Sequence, residues 1–469
     1  MAGRSANGST CSKRRPKVTR SPRSRRSSCA RGRSSAGEHC LPGIRRGCSF
    51  AGSHYRRTGR HVRKTGLLGA NAGQTAAHNR GVVLRALHRH APLSRTELAQ
   101  QSGLTKQAIA RIVERLIDEG LVIEARRRHG FRGQPPIDLE INPAGACAIG
   151  ANIDRDFLTV VLVDALGRIR ARHHVERYFM LPDEFLSEMR NAWSAFRRSG
   201  ALNEDRLTGV GLAIPDWLAE VPVPGMPDGY DAWAEFDFRA ELAKITDAPV
   251  SIDNDANSAA HYELDFGVGT RNRSFLYILV NACLGGGLVL DGSCYRGQTG
   301  LGGEIGWLPI GSGSEQVHPL GNLFSIFSLY EHLGARGIAA RTPDDLLALD
   351  AEGKRAVADW IDEVADHVAE AVNDIGLILD PDAVLFGGRL PVPYLDTLID
   401  SLRLRLESAE DTAPPVLRAA GSEDAAALGA AVMPLAETFA LSVDAERLTR
   451  TPLRNMTPPL AVSFTPADT

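Results

Sequence analysis

The run Val250-Ser251-Ile252-Asp253-Asn254-Asp255-Ala256-Asn257-Ser258-Ala259-Ala260 carries residue types suited to a polyol ligand. An apolar strand ends there in a polar cluster that opens a helix, and ligands sit at strand ends in α/β layers. The Asp255 carboxylate has the chemistry of a general base toward a sugar hydroxyl, and the Asn254 amide can hydrogen-bond a second hydroxyl. Asp and Asn are also common helix caps. Taken alone, the run leaves both readings open.

A second cluster could read DNA. Ile109, Ile112, Val113, Leu116 and Ile117 repeat at helical spacing, which buries them on one side. Lys106, Gln107, Ala110, Arg111, Glu114 and Arg115 are left facing outward. Gln107 suits adenine, Arg111 and Arg115 suit guanine, and Lys106 at the helix start can reach a phosphate. Small Ala110 permits close approach, and Thr105 can cap the helix. The turn Arg126-Arg127-Arg128-His129-Gly130-Phe131-Arg132-Gly133 is basic; it can follow the DNA backbone or place Arg132 in a minor groove. A three-helix bundle that binds protein would share the apolar back. The coincidence of cap, glycine turn, basic front and basic hairpin favours DNA, and the segment resembles the winged helix-turn-helix of bacterial repressors.

These residues need elements to hold them. A helix is expected over 80–90 with Val83, Leu84 and Leu87 inward. Ser94-Arg95-Thr96-Glu97 has the capping-box spacing, and its helix should end at Gly103. The next helix runs from Lys106 to about Glu119 and stops at Gly120. Strands over 121–124 and 137–141 complete the module. From Cys147 the pattern alternates, with strands expected at 147–153, 157–163, 207–213, 249–253, 274–280, 286–291 and 383–387. Helices are expected at 183–198, 256–266, 320–334, 354–379, 392–407 and 422–438. This is an α/β layering. Phe275 to Leu290, the longest apolar stretch, is broken by Asn281 and three glycines and reads as two strands and a turn, not a membrane span.

The chain has 469 residues and a formal charge of -2, but the balance is uneven. Residues 1–64 hold 18 Lys or Arg and one acid, Glu38, leaving 36 basic and 55 acidic residues beyond. Nucleic-acid contact in the body must therefore come from a local basic patch. Residues 1–77 lack the apolar content to offset the entropy of ordering and are expected to be a disordered basic tail. That tail reads as a solvated arm, as translated upstream sequence, as a nucleic-acid-binding arm, or, more remotely, as a transit peptide. A winged helix-turn-helix over 78–143, a larger α/β domain over 144–440 and a C-terminal tail over 441–469 follow. Of seven cysteines, four lie in the tail (Cys11, Cys29, Cys40, Cys48), the rest being Cys147, Cys283 and Cys294. With no CxxC pair, a reducing cytoplasm is expected.

Further motifs accompany the Asn-Asp cluster: Gly211-Leu212-Ala213-Ile214-Pro215, Leu284-Gly285-Gly286-Gly287, Gly297-Gln298-Thr299-Gly300-Leu301-Gly302-Gly303-Glu304-Ile305-Gly306, Phe386-Gly387-Gly388 and Ala427-Leu428-Gly429-Ala430-Ala431. In this order they resemble the ROK family of repressors, open reading frames and sugar kinases. The resemblance spans about residues 80–438. It implies an actin-like ATPase fold of two lobes around a cleft, often as a homodimer or homotetramer, with Asn254, Asp255 and Glu304 as sugar contacts and Gly300–Gly303 admitting the ring.

The departures are as informative as the matches. Family kinases carry a DIGGT-like phosphate turn; here the stretch reads Asn152-Ile153-Asp154-Arg155-Asp156, without the glycines and with two carboxylates where polyphosphate would lie. The second phosphate loop opens Asn281-Ala282-Cys283 in place of GTG, which hinders close backbone approach. The family's zinc segment is missing too: Trp307 stands at the metal-binding His, and the following stretch from His318 to Ser325 has no cysteine, so His318 reads as a surface or capping residue and no zinc is expected. Trp233 serves either the cleft or the core, and Trp307 either reshapes the pocket or closes it. The expectation is a DNA-binding regulator with a sugar or sugar derivative as effector, no metal or ATP, and Asp255 as a vestigial base position. The alternative is an active ATP-dependent sugar kinase.

Overall fold

The computed structural model describes residues 72–127, 136–221, 223, 225–310, 318–407 and 413–439. The expected tail up to residue 71, Arg132 with the hairpin tip around it, and the tail 441–469 lie outside the described residues. The first helix, α1 (Ala72–His90), begins earlier than the expected residue 80. It is followed by α2 (Arg95–Ser102) and α3 (Lys106–Asp118), then the antiparallel wing strands β1 (Val122–Arg127) and β2 (Ile137–Ile141). The capping box forms, with Glu97 accepting from the Ser94 N–H at 2.7 Å. Gly103 ends α2 in the left-handed region, φ 70°, which glycine occupies without steric cost.

The remainder builds two sheets of the same plan. The first contains β3 (Cys147–Ile153), β4 (Phe157–Asp164), β5 (Ile169–Glu176), β6 (Leu207–Ile214) and β7 (Val250–Asn254), in the order β5-β4-β3-β6-β7. The second contains β8 (Phe275–Val280), β9 (Leu284–Leu290), β10 (Ser293–Cys294), β13 (Ala383–Gly388) and β14 (Val416–Arg418), in the order β10-β9-β8-β13-β14. Each joins an antiparallel meander to strands added in parallel. Two short strands, β11 (Pro309–Ile310) and β12 (His318–Pro319), pair beside them. The helices are α4 (Pro182–Arg198), α5 (Phe238–Leu242), α6 (Asp255–Phe266), α7 (Leu320–Leu323), α8 (Ile326–Gly334), α9 (Pro343–Ala348), α10 (Ala351–Leu379), α11 (Val392–Leu406) and α12 (Ala425–Phe439).

The single helix expected over 320–334 is two. Ser325 caps a fresh start, its Oγ accepting from the Ser328 N–H at 3.2 Å. The strand β5 was not anticipated, because Ile-Arg-Ala-Arg-His-His-Val-Glu is polar and lies at a sheet edge, where burial imposes little pattern.

Helices α6 and α12 pack on each other with little room between backbones. A Cβ on Gly429 would lie 1.6 Å from the Ser258 carbonyl oxygen, and one on Gly211 would lie 1.8 Å from that of Ala430. The glycine-and-alanine segments found in the sequence are thus closely packed crossings. The DNA-type module is not a separate bead. Val83, Leu84, Leu87, Ile109, Val113 and Leu116 share one core with Val161 and Val163 of β4 and with Leu428, Val432 and Phe439 of α12. His88 of α1 sits edge-on between Phe266 and Phe439, at 5.6 and 5.2 Å. Burial pushes its pKa down to about 4, against a weaker opposing backbone bond to Ala165.

Candidate functional site

Helix α3 presents a basic face. Ile109, Val113 and Leu116 are buried, while Thr105, Lys106, Gln107, Arg111, Glu114 and Arg115 are exposed. Thr105 caps the helix, its Oγ1 accepting from the Ala108 N–H at 3.2 Å. Arg115 bonds Glu119 within the protein at 3.0 Å, and Arg80 bonds the same carboxylate at 2.9 Å. Among the described residues Lys106, Gln107 and Arg111 have no such internal bond. The far end of α3 is tied to the first sheet, where Arg206, just before β6, donates to the Glu119 carbonyl at 2.9 Å.

The second site is a cavity of about 90 Å³. On a scale of about 10–15 Å³ for one water, it has room for a small polar ring. Asn254, Asp255 and Glu304 all line it, so two segments far apart in sequence do converge. Asn254 fills the capping role, one of the two the sequence left open, and lines the cavity. Its Oδ1 caps α6 by accepting from the Asn257 N–H at 3.0 Å, and its Nδ2 donates to Asp216 at 3.2 Å. Asp255, the first residue of α6, accepts from the Ala256 N–H at 2.8 Å. Burial, reinforced by the charge of Asp154, pushes the Asp255 carboxyl up to about 8. Glu304 precedes the turn Ile305–Trp307; burial and the charges of Asp216 and Asp255 push it to about 8 as well.

Sequence reasoning missed three parts of this cavity. Asp216 and Trp217 follow the end of β6 and form part of the wall. Burial, with the Asp253 charge beside it, raises Asp216 to about 6. Trp217 has φ 54°, a costly conformation for an aromatic residue, and meets Trp307 edge-on at 5.8 Å. Their position directly after Gly211-Leu212-Ala213-Ile214-Pro215 was the available signal, since ligands gather at strand ends. The third part is Arg155. Fully buried, it reaches the Trp217 carbonyl at 3.0 Å and Asp154 at 3.5 Å, and its Nε has no partner.

Two expectations need correction, and two alternatives left open are decided. The glycines Gly300–Gly303 do not line the cavity. Gly303 instead packs on β9, where a Cβ would lie 2.8 Å from the Gly286 oxygen; Gly285, Gly306 and Gly321 are the glycines of the wall. Trp233 belongs to the core, stacked on Phe238 at 5.3 Å with its indole N–H bonded to Met180. Asp154 and Asp156 are not bare charges facing the cleft, because Asp156 pairs at 2.7 Å with Arg389, a cation from beyond β13, and Asp154 pairs with Arg155. Trp307 does not close the pocket; it forms part of its wall. His318 is half-buried in β12, and an indole at position 307 gives zinc no donor, so these residues do not fit the family's zinc. Among the described residues no cluster of three or more His, Cys, Asp or Glu could hold a metal, and no helix is long and apolar enough to cross a membrane.

The two-lobed α/β body, its paired sheets and the winged helix ahead of it define a class of chain that comparison makes specific. Residues 148–437 match the ROK family and residues 80–132 match the MarR family; the chain belongs to the ROK family and carries a MarR-type winged helix-turn-helix. It is 27% identical over 327 residues to the uncharacterized protein y4fQ of Sinorhizobium fredii, covering 68% of this chain and 80% of that one. It is 23% identical over 333 residues to the xylose repressor of Caldicellulosiruptor bescii, covering 66% and 83%. A crystal structure of a ROK family transcriptional regulator, described as a homologue of the E. coli MLC protein, superposes with a TM-score of 0.60 at 21% identity, covering 78% of this chain and 98% of that one.

Proposed function

We propose that the protein is a DNA-binding transcriptional repressor of sugar metabolism whose ROK domain binds a sugar effector. One observation carries this reading: an exposed recognition helix is joined through a continuous core to a domain whose buried cavity gathers Asn254, Asp255 and Glu304. Lys106, Thr105 and Arg132 are assigned to phosphate and groove contacts, and Gln107, Arg111 and Arg115 to base edges. Arg115 must exchange Glu119 for DNA. Two half-sites on operator DNA suit a homodimer or homotetramer, and the free thiols of Cys147, Cys283 and Cys294 suit the cytoplasm.

On this reading Asp255 is a vestigial base and the chain neither binds ATP nor turns over sugar. The hairpin between β3 and β4 has no glycine cradle, and its buried Asp154, Arg155 and Asp156 occupy the turn that holds phosphate in family kinases. The raised Asp255 carboxyl favours the second reading, a sugar kinase, because a base titrating near neutral pH suits proton abstraction. Calorimetry with MgATP decides between them: heat of binding supports the kinase.

The regulator reading is tested by fluorescence anisotropy on the chain's own upstream intergenic DNA, with scrambled competitor. Gln107→Ala/Arg111→Ala should cost about tenfold or more in specific affinity and leave binding to scrambled DNA nearly unchanged. Equal losses on both DNAs would refute base reading by this helix.

A further inference from the structure

The charges lining the cavity do not balance. Asp154, Asp216, Asp255 and Glu304 face it with one cation, Arg155, and that guanidinium is already committed to Asp154 and the Trp217 carbonyl. Among the described residues Asp216 has only the neutral Asn254 amide as a hydrogen-bond partner. The neighbouring Arg296 is bonded to Asp253, behind the wall. Asp255 is 6% exposed and spends Oδ1 on the Ala256 N–H; its Oδ2, like the Glu304 carboxylate, accepts no hydrogen bond among the described residues.

A neutral sugar needs one or two acceptors for its hydroxyl protons. It would leave the remaining carboxyls desolvated and neutralised only by taking up protons. A protonated amine supplies the missing positive charge together with three N–H donors. Trp217, Trp307 and Phe327 complete the wall, and aromatic rings tolerate a cation where they would not favour an anion.

We propose that this cavity recognises an amine-bearing sugar in its ammonium form, with Asp216 as the residue that distinguishes it from the neutral sugar. The proposal rests on the cavity being the effector site and adds the charge of the ligand. Binding an ammonium should expel protons held by the acids; binding a neutral sugar should not.

The test is titration calorimetry of the full chain with D-glucosamine, D-galactosamine and D-mannosamine, each beside its hydroxyl counterpart, in two buffers of different ionisation enthalpy. At least one amino sugar should bind about tenfold more tightly than its counterpart, with proton release. Asp216→Asn should reduce that preference to about threefold or less. Should the variant not fold, the proton release of the wild type carries the test. Neutral sugars binding as well as or better than all three amino sugars would overturn the proposal and leave the sugar-effector reading standing. Absence of binding by both sets would overturn both.

Discussion

Arg389 should be the most costly single side chain to remove from the cleft. It follows β13 in the second sheet and reaches across to the first, where its guanidinium bonds Asp156 at 2.7 Å, also pairs with Glu176, and lies 4.1 Å from the Phe157 ring centroid. Both side chains of the Arg389–Asp156 pair are almost fully buried, and the other Asp156 oxygen has no partner. In Arg389→Met the carboxyl loses its only counter-ion among the described residues without gaining water. Breaking a buried pair in this way costs about 3–5 kcal/mol, or roughly 6–10 °C in Tm at ~2 °C per kcal/mol for a large domain. Glu176 contributes little to that figure, since it is exposed and keeps His174 at 2.8 Å. Asp156→Leu/Arg389→Met removes both charges and should recover at least half the loss, because replacing a whole buried pair by apolar groups is often nearly neutral. Differential scanning calorimetry of the wild type and the two variants measures this. A single variant melting within about 2 °C of wild type, or a double variant no more stable than the single, would refute the argument.

Two further outcomes follow from the same geometry. Glu304 is held near 8, above the ordinary 4.5, so its contribution to stability is fully present below pH 4.5 and is lost as pH rises through about 8. Guanidinium melts at pH 5 and pH 8 should show wild type losing on the order of 2 kcal/mol more than Glu304→Gln over that interval; parallel losses would count against a buried neutral carboxyl. Arg206→Ala cuts the tie between the start of β6 and the Glu119 carbonyl, while the other end of β6 leads to Asp216 and Trp217. Effector binding by calorimetry should be unchanged, and the effector's influence on DNA affinity should shrink by roughly 3- to 30-fold. An unchanged influence would show that the signal passes elsewhere.

Much of this protein was determined locally and so could be read from sequence. The Ser94–Glu97 box, the glycine stop at Gly103 and the apolar repeat from Ile109 to Leu116 are short-range signals, and each forms the element it announces. The fully buried, mostly apolar strands β3, β4 and β8 are equally plain, because burial on both faces narrows the choice of residue. The convergence of Asn254, Asp255 and Glu304 was legible through the order of glycine motifs. Tertiary structure alone decided the charge environment. Asp156 is neutralised from 233 positions away, and Asp216, although it directly follows a motif, joins the cavity only where the end of β6 meets the segments that carry Asn254 and Glu304. The same limit applies to the glycines, which look alike in sequence whether they face a ligand or another backbone. Pairing, burial and pKa depend on distances between segments remote in the chain, and those distances exist only once both sheets have packed around α6 and α12.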